Sequence, residues 1–250
     1  MKKKWNIWDI LWGIIPVTMI ICSSFLSTEL TCSEIEVKLK RTRGNHFLVK
    51  DQIKEEIEEI IGYPLVSGKL IHNDLKLMEN NLKNNKFVKH AQVLSDHKGR
   101  ITFDIIQNKP IGRVITSDST YYLNENGGIM PTSLNYSARV IVVLGNRINH
   151  LLSNDSIIGL TKTKELINLI KYINQDKFLK AQLASMEVLD NDKILIYPQI
   201  TKQLIEFGDC GNYVEKLKKL KIFYKQILPR KGWNDYKKVN LEYRNQIVCE

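Results

Sequence analysis

Cysteine, proline and glycine are scarce in this chain of 250 residues, which holds 4, 6 and 13 of them. Four cysteines over this length do not make a disulfide scaffold. So little proline and glycine excludes collagen-like repeats and low-complexity linkers. No internal repeat is visible, and no stretch rich in Ser, Gly or Pro divides the chain. Recurrent catalytic and metal-binding strings are missing as well: there is no His-Glu-x-x-His, Cys-x-x-Cys or Gly-x-Ser-x-Gly. The five histidines, His46, His72, His90, His97 and His150, include no i, i+4 pair with a glutamate. His90 and His97 flank a predicted hairpin and read as solvated surface groups. Asn126-Gly127-Gly128 is the nearest approach to a phosphate loop. No Gly-Lys-Ser follows it, and the flanking strand patterns make it a hairpin turn. Glu55-Glu56 and Glu58-Glu59 fall on the outer face of a predicted helix, where solvation and nearby lysines account for them. These absences predict a protein that is not an enzyme, with no cofactor, no metal and no small-molecule substrate.

What is present is the composition of a folded protein, with 43% hydrophobic and 26% charged residues. Lysine and arginine number 37 against 27 acids, a net charge of +10 that favours anionic neighbours. Lys216, Lys218, Lys219, Lys221 and Lys225 lie close together in sequence. Helical spacing makes them the wet face of an amphipathic helix, and no nucleic acid is expected. Attraction to anionic lipid head groups or cell-wall polymers is the alternative reading of the charge.

The N-terminus narrows the class most. Lys2, Lys3 and Lys4 precede an apolar stretch from Ile7 to Leu26, interrupted only by the charge of Asp9. At 1.5 Å per residue it spans about 30 Å, the thickness of a bilayer core. Trp5, Trp8 and Trp12 stand where an aromatic belt meets the membrane surface. Residues 1–6 are therefore expected as a cytoplasmic tail and 7–27 as a transmembrane helix, with the remainder outside by the positive-inside rule. A cleaved signal peptide, with weak sites at Ser23-Ser24 and Ser27-Thr28, is the competing reading. A lipoprotein signal is disfavoured because Ile21 precedes Cys22. Cys32, Cys210 and Cys249 would then lie in an oxidising compartment, where Cys210 and Cys249 pair or all three stay free.

Beyond the apolar stretch the fold class reads as α+β. Residues 35–107 form a self-contained unit. Ile35, Val37 and Leu39 alternate with charged neighbours as a half-buried strand. Asp51 is placed to cap a helix with Ile53, Ile57, Ile60 and Ile61 inward and Gly62 at its stop. A second helix from about Asn73 carries Leu75, Met78 and Leu82. Two strands follow, with Phe87, Ala91 and Val93 on one side of the first, and Ile101, Phe103 and Ile105 on one side of the second. Ser95 to Gly99 supplies the hairpin loop between them. The order is strand, helix, helix, strand, strand.

Residues 108–250 read as a β-rich domain with flanking helices. Strands are expected at Arg113–Ile115, Tyr121–Leu123, Met186–Leu189, Ile194–Tyr197 and Leu204–Phe207. Val140–Leu144 is unbroken and suits a central strand covered on both faces. Thr161 or Thr163 starts a helix with Leu166, Leu169, Ile170 and Ile173 inward. A last helix, about Tyr213 to Ile227, turns Leu217, Leu220, Tyr224 and Ile227 to the core. Val239, Leu241 and Tyr243 then alternate with Asn240, Glu242 and Arg244 in a closing strand expected at the sheet edge.

Several strings, in this order, resemble the bacterial FtsQ/DivIB division family. Lys69-Leu70-Ile71-His72-Asn73-Asp74-Leu75 with Met78 to Leu82 resembles the second helix of that family's POTRA domain. Phe87-Val88-Lys89-His90-Ala91 is similar to the strand entry after it. Ile105-Ile106-Gln107-Asn108-Lys109-Pro110 resembles the junction into the β domain. Tyr121 to Asn124 with Gly128 to Pro131 is similar to the first hairpin there, and Val239 to Arg244 to the closing strand. The resemblance implies a tail, one inner-membrane anchor, a POTRA domain and a β domain outside the membrane at the division septum. It implies a non-enzymatic scaffold recruiting FtsB- and FtsL-like single-pass proteins and other divisome proteins by strand addition to the C-terminal edge. Tyr243 then stands as the aromatic anchor, Leu241 and Val239 share its face, and Tyr236 and Lys225 form the rim. An envelope assembly factor with POTRA domains, or a secreted adhesin, are the other readings of the same organisation.

Overall fold

The computed structural model describes residues 30–40, 46–66, 69–70, 72–145, 147–149 and 157–250. The expected tail and apolar span lie outside them. Among the described residues no helix is long and apolar enough to cross a membrane. The chain folds as two compact units. The described parts of Met1–Lys40 and Leu48–Ile106 form the first, and those of Arg41–Phe47 and Gln107–Glu250 the second.

In the first unit a short strand β1 (Leu30–Thr31) pairs antiparallel with β3 (Lys69–Leu70). The main sheet has the order β2 (Glu34–Lys40), β5 (Arg100–Gln107), β4 (Val88–Ser95). β2 runs parallel to β5, in register from Glu34↔Arg100 to Lys40↔Ile106. Helix α1 (Lys50–Ile61) and helix α2 (His72–Asn84) complete the unit. Ile53, Ile57, Leu75, Met78, Leu82, Ala91, Phe103 and Ile105 are buried together, as their spacing predicts. Two local expectations need correction. The N-cap of α1 is Val49, with no side-chain cap, and Asp51 sits in the first turn instead. There its carboxylate opposes the positive end of the helix dipole. Phe87 is only partly buried, and Val88 takes the inward place at the strand entry.

The second unit is built on a nine-stranded sheet. In chain order its strands are β6 (Pro110–Ile115), β7 (Thr120–Asn124), β8 (Ile129–Met130), β9 (Ile141–Leu144), β10 (Leu183–Val188), β11 (Ile194–Pro198), β12 (Leu204–Gly208), β13 (Lys238–Asn240) and β14 (Val248–Cys249). Across the sheet they are ordered β14-β13-β12-β11-β10-β9-β6-β7-β8. β9 lies inside the sheet next to the middle strand, β10, and is parallel to both β6 and β10. Its exposure alternates: Ile141 and Val143 are buried while Val142 and Leu144 are half-buried. The expected cover on both faces is therefore incomplete.

The crossover from β9 to β10 is made by α3 (Ile157–Gln175) and α4 (Lys177–Gln182). α3 thus begins upstream of Thr161, and its Leu166, Leu169, Ile170 and Ile173 are all sealed. A second crossover, from β12 to β13, runs through α5 (Tyr213–Ile222), a π-turn (Phe223–Ile227) and a short α6 (Leu228–Lys231). The π-turn holds an extra residue, so it shifts the inward phase by one position. Leu228 is fully buried where Ile227 was expected, and Ile227 is only partly covered. Leu217, Leu220, Phe223 and Tyr224 join Ile205, Phe207, Val239 and Leu241 in one core.

The C-terminal rim of the sheet

The rim of β12, β13 and β14 holds most of the residues singled out from sequence. β12 and β13 are parallel, with Ile205 opposite Val239 and Glu206 opposite Asn240. Alternation sends Ile205 and Val239 under the helices and Glu206 and Asn240 to the other face. The Leu241 N–H continues the ladder by donating to the Glu206 carbonyl at 2.9 Å. The strand then stops. The Asn240 side-chain oxygen accepts from the Glu242 N–H at 2.9 Å, and Asn245 takes a left-handed conformation with φ 59°. An asparagine that bonds its own downstream backbone in this way favours a turn over a continued ladder.

This overturns the expected edge. The chain doubles back after residues 243–245, and β14 pairs antiparallel with β13, Val239 opposite Cys249 and Asn240 opposite Val248. β13 is flanked on both sides, and the outer strand is β14. Val239 and Leu241 are both 0% exposed. They belong to the core and offer no side chain to a partner. The period-2 pattern was real, but its apolar face points inward.

Tyr243 lies beyond the strand, in the turn, and is 52% exposed. Lys219 of α5 holds that turn. Its ammonium donates to the carbonyls of Leu241 at 2.8 Å, Tyr243 at 2.5 Å and Gln246 at 3.2 Å. Partial burial of this ammonium pulls its pKa below the ordinary lysine value. Tyr236 is half-buried with its ring tilted against Phe223, 6.0 Å between centroids. Lys225 is exposed, and its ammonium lies 5.2 Å from the centre of the Phe178 ring. The five residues singled out from sequence are therefore two surface groups, one half-buried ring and two core residues.

The lysine stripe is likewise divided in two. Lys216 is buried; its ammonium lies over the Phe207 ring and donates to the Asp209 carbonyl and carboxylate at 3.0 and 2.8 Å. The hydrogen bond from Lys216 holds the Asp209 carboxyl below its ordinary range. Helical periodicity alone gives no sign of these inward lysines, because their acceptors, loop carbonyls and the Asp209 carboxylate, are brought near by the fold.

On the face away from the helices, a groove of about 530 Å³ runs beside Leu195, Glu206, Asn240, Glu242 and Tyr243. Asn240 donates to Glu206 at 2.9 Å, and Lys193 grips both oxygens of Glu242 at 3.1 and 3.2 Å. Gly208 makes this approach possible: with φ +76°, a Cβ there would stand 2.5 Å from the Glu242 Cγ. Of the two readings open for Cys210 and Cys249, the unpaired one holds: both thiols are free. Cys249 is in register with Val239 and hence Ile205, whereas Cys210 lies five residues further along the chain. Strand spacing places their Cα atoms more than about 10 Å apart, beyond the roughly 7 Å a disulfide spans. Among the described residues no group of three His, Cys, Asp or Glu side chains is placed to hold a metal ion.

Residues 109–250 match the family described as FtsQ/DivIB, C-terminal related. The chain belongs to the FtsQ/DivIB family. Residues 30–106 match the POTRA-like domain, so the two matches follow the two structural units of this FtsQ/DivIB relative. Together they mark a division-associated scaffold. Among solved structures, POTRA1-2 of the periplasmic domain of Omp85 from Anabaena is similar at 12% identity over 68% of this chain and 94% of that one. Its TM-score of 0.29 is too low to bear on the fold. No curated protein sequence matches.

Proposed function

We propose that this FtsQ/DivIB member is a non-enzymatic divisome scaffold that recruits FtsB- and FtsL-like single-pass proteins by strand addition at its C-terminal rim. The docking strand is β14 and not Val239 to Tyr243 as the alternation suggested. One observation carries the reading. Glu250 and Lys238 exchange both backbone hydrogen bonds, at 3.0 and 3.1 Å. Antiparallel alternation then makes Val239 and Cys249 a non-bonded pair, which turns the Cys249 N–H and C=O away from β13. An outer strand with free backbone groups accepts an added strand. Val248, 37% exposed, and Tyr243 flank it as apolar contacts. Exposed tyrosines at a rim are typical interface anchors. The lysine cluster and apolar span of residues 2–26 support an inner-membrane anchor, with both folded units outside and the protein at the septum.

The test is co-purification of the full chain with FtsB- and FtsL-like proteins of the same cell, using Cys249→Pro. Proline removes the outward N–H without breaking a bond to β13. Loss of the partners with an unchanged melting temperature supports the reading. Retention of the partners by the proline variant removes it.

A further inference from the structure

A second recognition feature lies at the opposite end of the sheet. β10 and β12 are each antiparallel to β11, and β12 is parallel to β13, so β9, β10 and β13 all run the same way. Tyr243 follows the C-terminal end of β13; the strand starts at Ile141 and Leu183 are at the other end. There the ladder between β9 and β10 stops short of the strand ends. Their pairing begins only at Val142↔Ser185, and the partner register on β11 shifts between Leu183 and Ser185. The gap opens a cleft of about 850 Å³ against α4 and the end of α3.

The chemistry of this cleft is one-sided. Arg139, Lys177 and Lys180 stand at its mouth, all exposed, and its walls include no acidic side chain. Among the described residues none of these three cations has an acidic partner. The nearest acid in sequence, Asp176, is already engaged: it caps α4 through the Phe178 and Leu179 N–H groups and pairs with Lys221. The Asn174 amide is likewise turned inward, to the carbonyls of Ile111 and Ile170 at 2.7 and 2.9 Å. Behind the cations the walls are apolar, with Ile141, Ile173 and Leu183 buried.

We infer that this cleft binds an acidic peptide segment of a partner protein, with carboxylates at Arg139, Lys177 and Lys180 and an apolar side chain in the recess. Basic clusters select acidic motifs in this way. The recess decides the ligand class. Bilayer binding needs apolar side chains that protrude past the cations, and here they lie behind them. A polyphosphate-like polymer has no apolar group to fill the space. A volume of this size holds several side chains. This reading is independent of the β14 rim, which lies at the far end of the strands.

The test measures binding of a fluorescent peptide in which glutamates flank leucines to the purified full chain. Controls are the same peptide with Leu→Ser or Glu→Gln, polyphosphate, and phosphatidylglycerol vesicles. The parent peptide should bind, with each control peptide weaker by about tenfold and affinity falling as salt rises. Arg139→Glu combined with Lys180→Glu should weaken it by about tenfold. Ala181→Trp, which fills the cleft from an exposed position of α4, should do the same at unchanged charge. Parent binding no tighter than the controls, tighter binding of polyphosphate or vesicles, or indifference to Ala181→Trp would each overturn the assignment.

Discussion

Lys219 reaches from α5 to the Tyr243 carbonyl at 2.5 Å, and with two further carbonyls it fixes the turn that displays the tyrosine. Hydrogen bonds to charged groups contribute roughly 1.5–3 kcal/mol each when well formed, and partial exposure places this set at the low end. Lys219→Met should therefore cost about 1–2 kcal/mol. Amide exchange should rise across residues 241–247 more than in β10 or β11. Uniform acceleration would mean that the lysine supports the whole unit.

Tyr243 and Leu241 should behave oppositely. Tyr243→Ala removes an exposed ring and should weaken partner binding while leaving thermal melting nearly unchanged. Leu241→Ala opens a cavity in a sealed core and should cost about 2–5 kcal/mol, with any binding loss following the unfolding. Equal stability loss from both would assign the tyrosine to folding.

Gly208→Ala should lower stability by about 1–2 kcal/mol, from the left-handed backbone and the contact with Glu242. In the Glu242→Ala background the penalty should shrink to the backbone part. Paired chemical denaturation curves measure the difference.

Acid should destabilise the second unit. Hydrogen bonds from Arg147 and Lys162 lower the Asp192 pKa, and a bond from Lys221 lowers that of Asp176. A carboxyl whose folded pKa is depressed stabilises the protein above its unfolded value, ordinarily 3.8, and loses that contribution as pH falls through the folded value. Melting temperature should therefore drop below about pH 4, less steeply in Asp192→Asn. That variant should start from a lower plateau at neutral pH. A variant with the slope of the parent would contradict the assignment.

The fold is legible in the sequence where local pattern and tertiary environment agree. The helix faces of Ile53, Met78 and Ile170 were legible because 3.6-residue spacing and burial coincide. The hairpin at Asn124 was legible from its turn residues: the Asn124 side chain accepts from the Asn126 and Gly128 N–H groups, and Gly127 has φ 82°. The rim is not legible in the sequence for a specific reason. Val239 and Leu241 do alternate, but alternation does not say which side of a strand is paired, and the two residues of β14 are too short a signal to announce a covering strand. Lys219 reads as one of the wet lysines because its acceptors are backbone carbonyls, which carry no side-chain signature. The cleft at Ala184 lies where the β9–β10 ladder stops, and no pattern in either strand records that point.

The covering strand β14 is only two residues long, yet it shields the ladder of Lys238 to Asn240. Loss of residues 246–250 would bare a ribbon whose inner side chains are already committed to the core. An uncovered ribbon of this kind templates identical copies as readily as proper partners. Trimming by a protease in this short stretch should therefore give self-association and precipitation, beyond a simple failure to recruit.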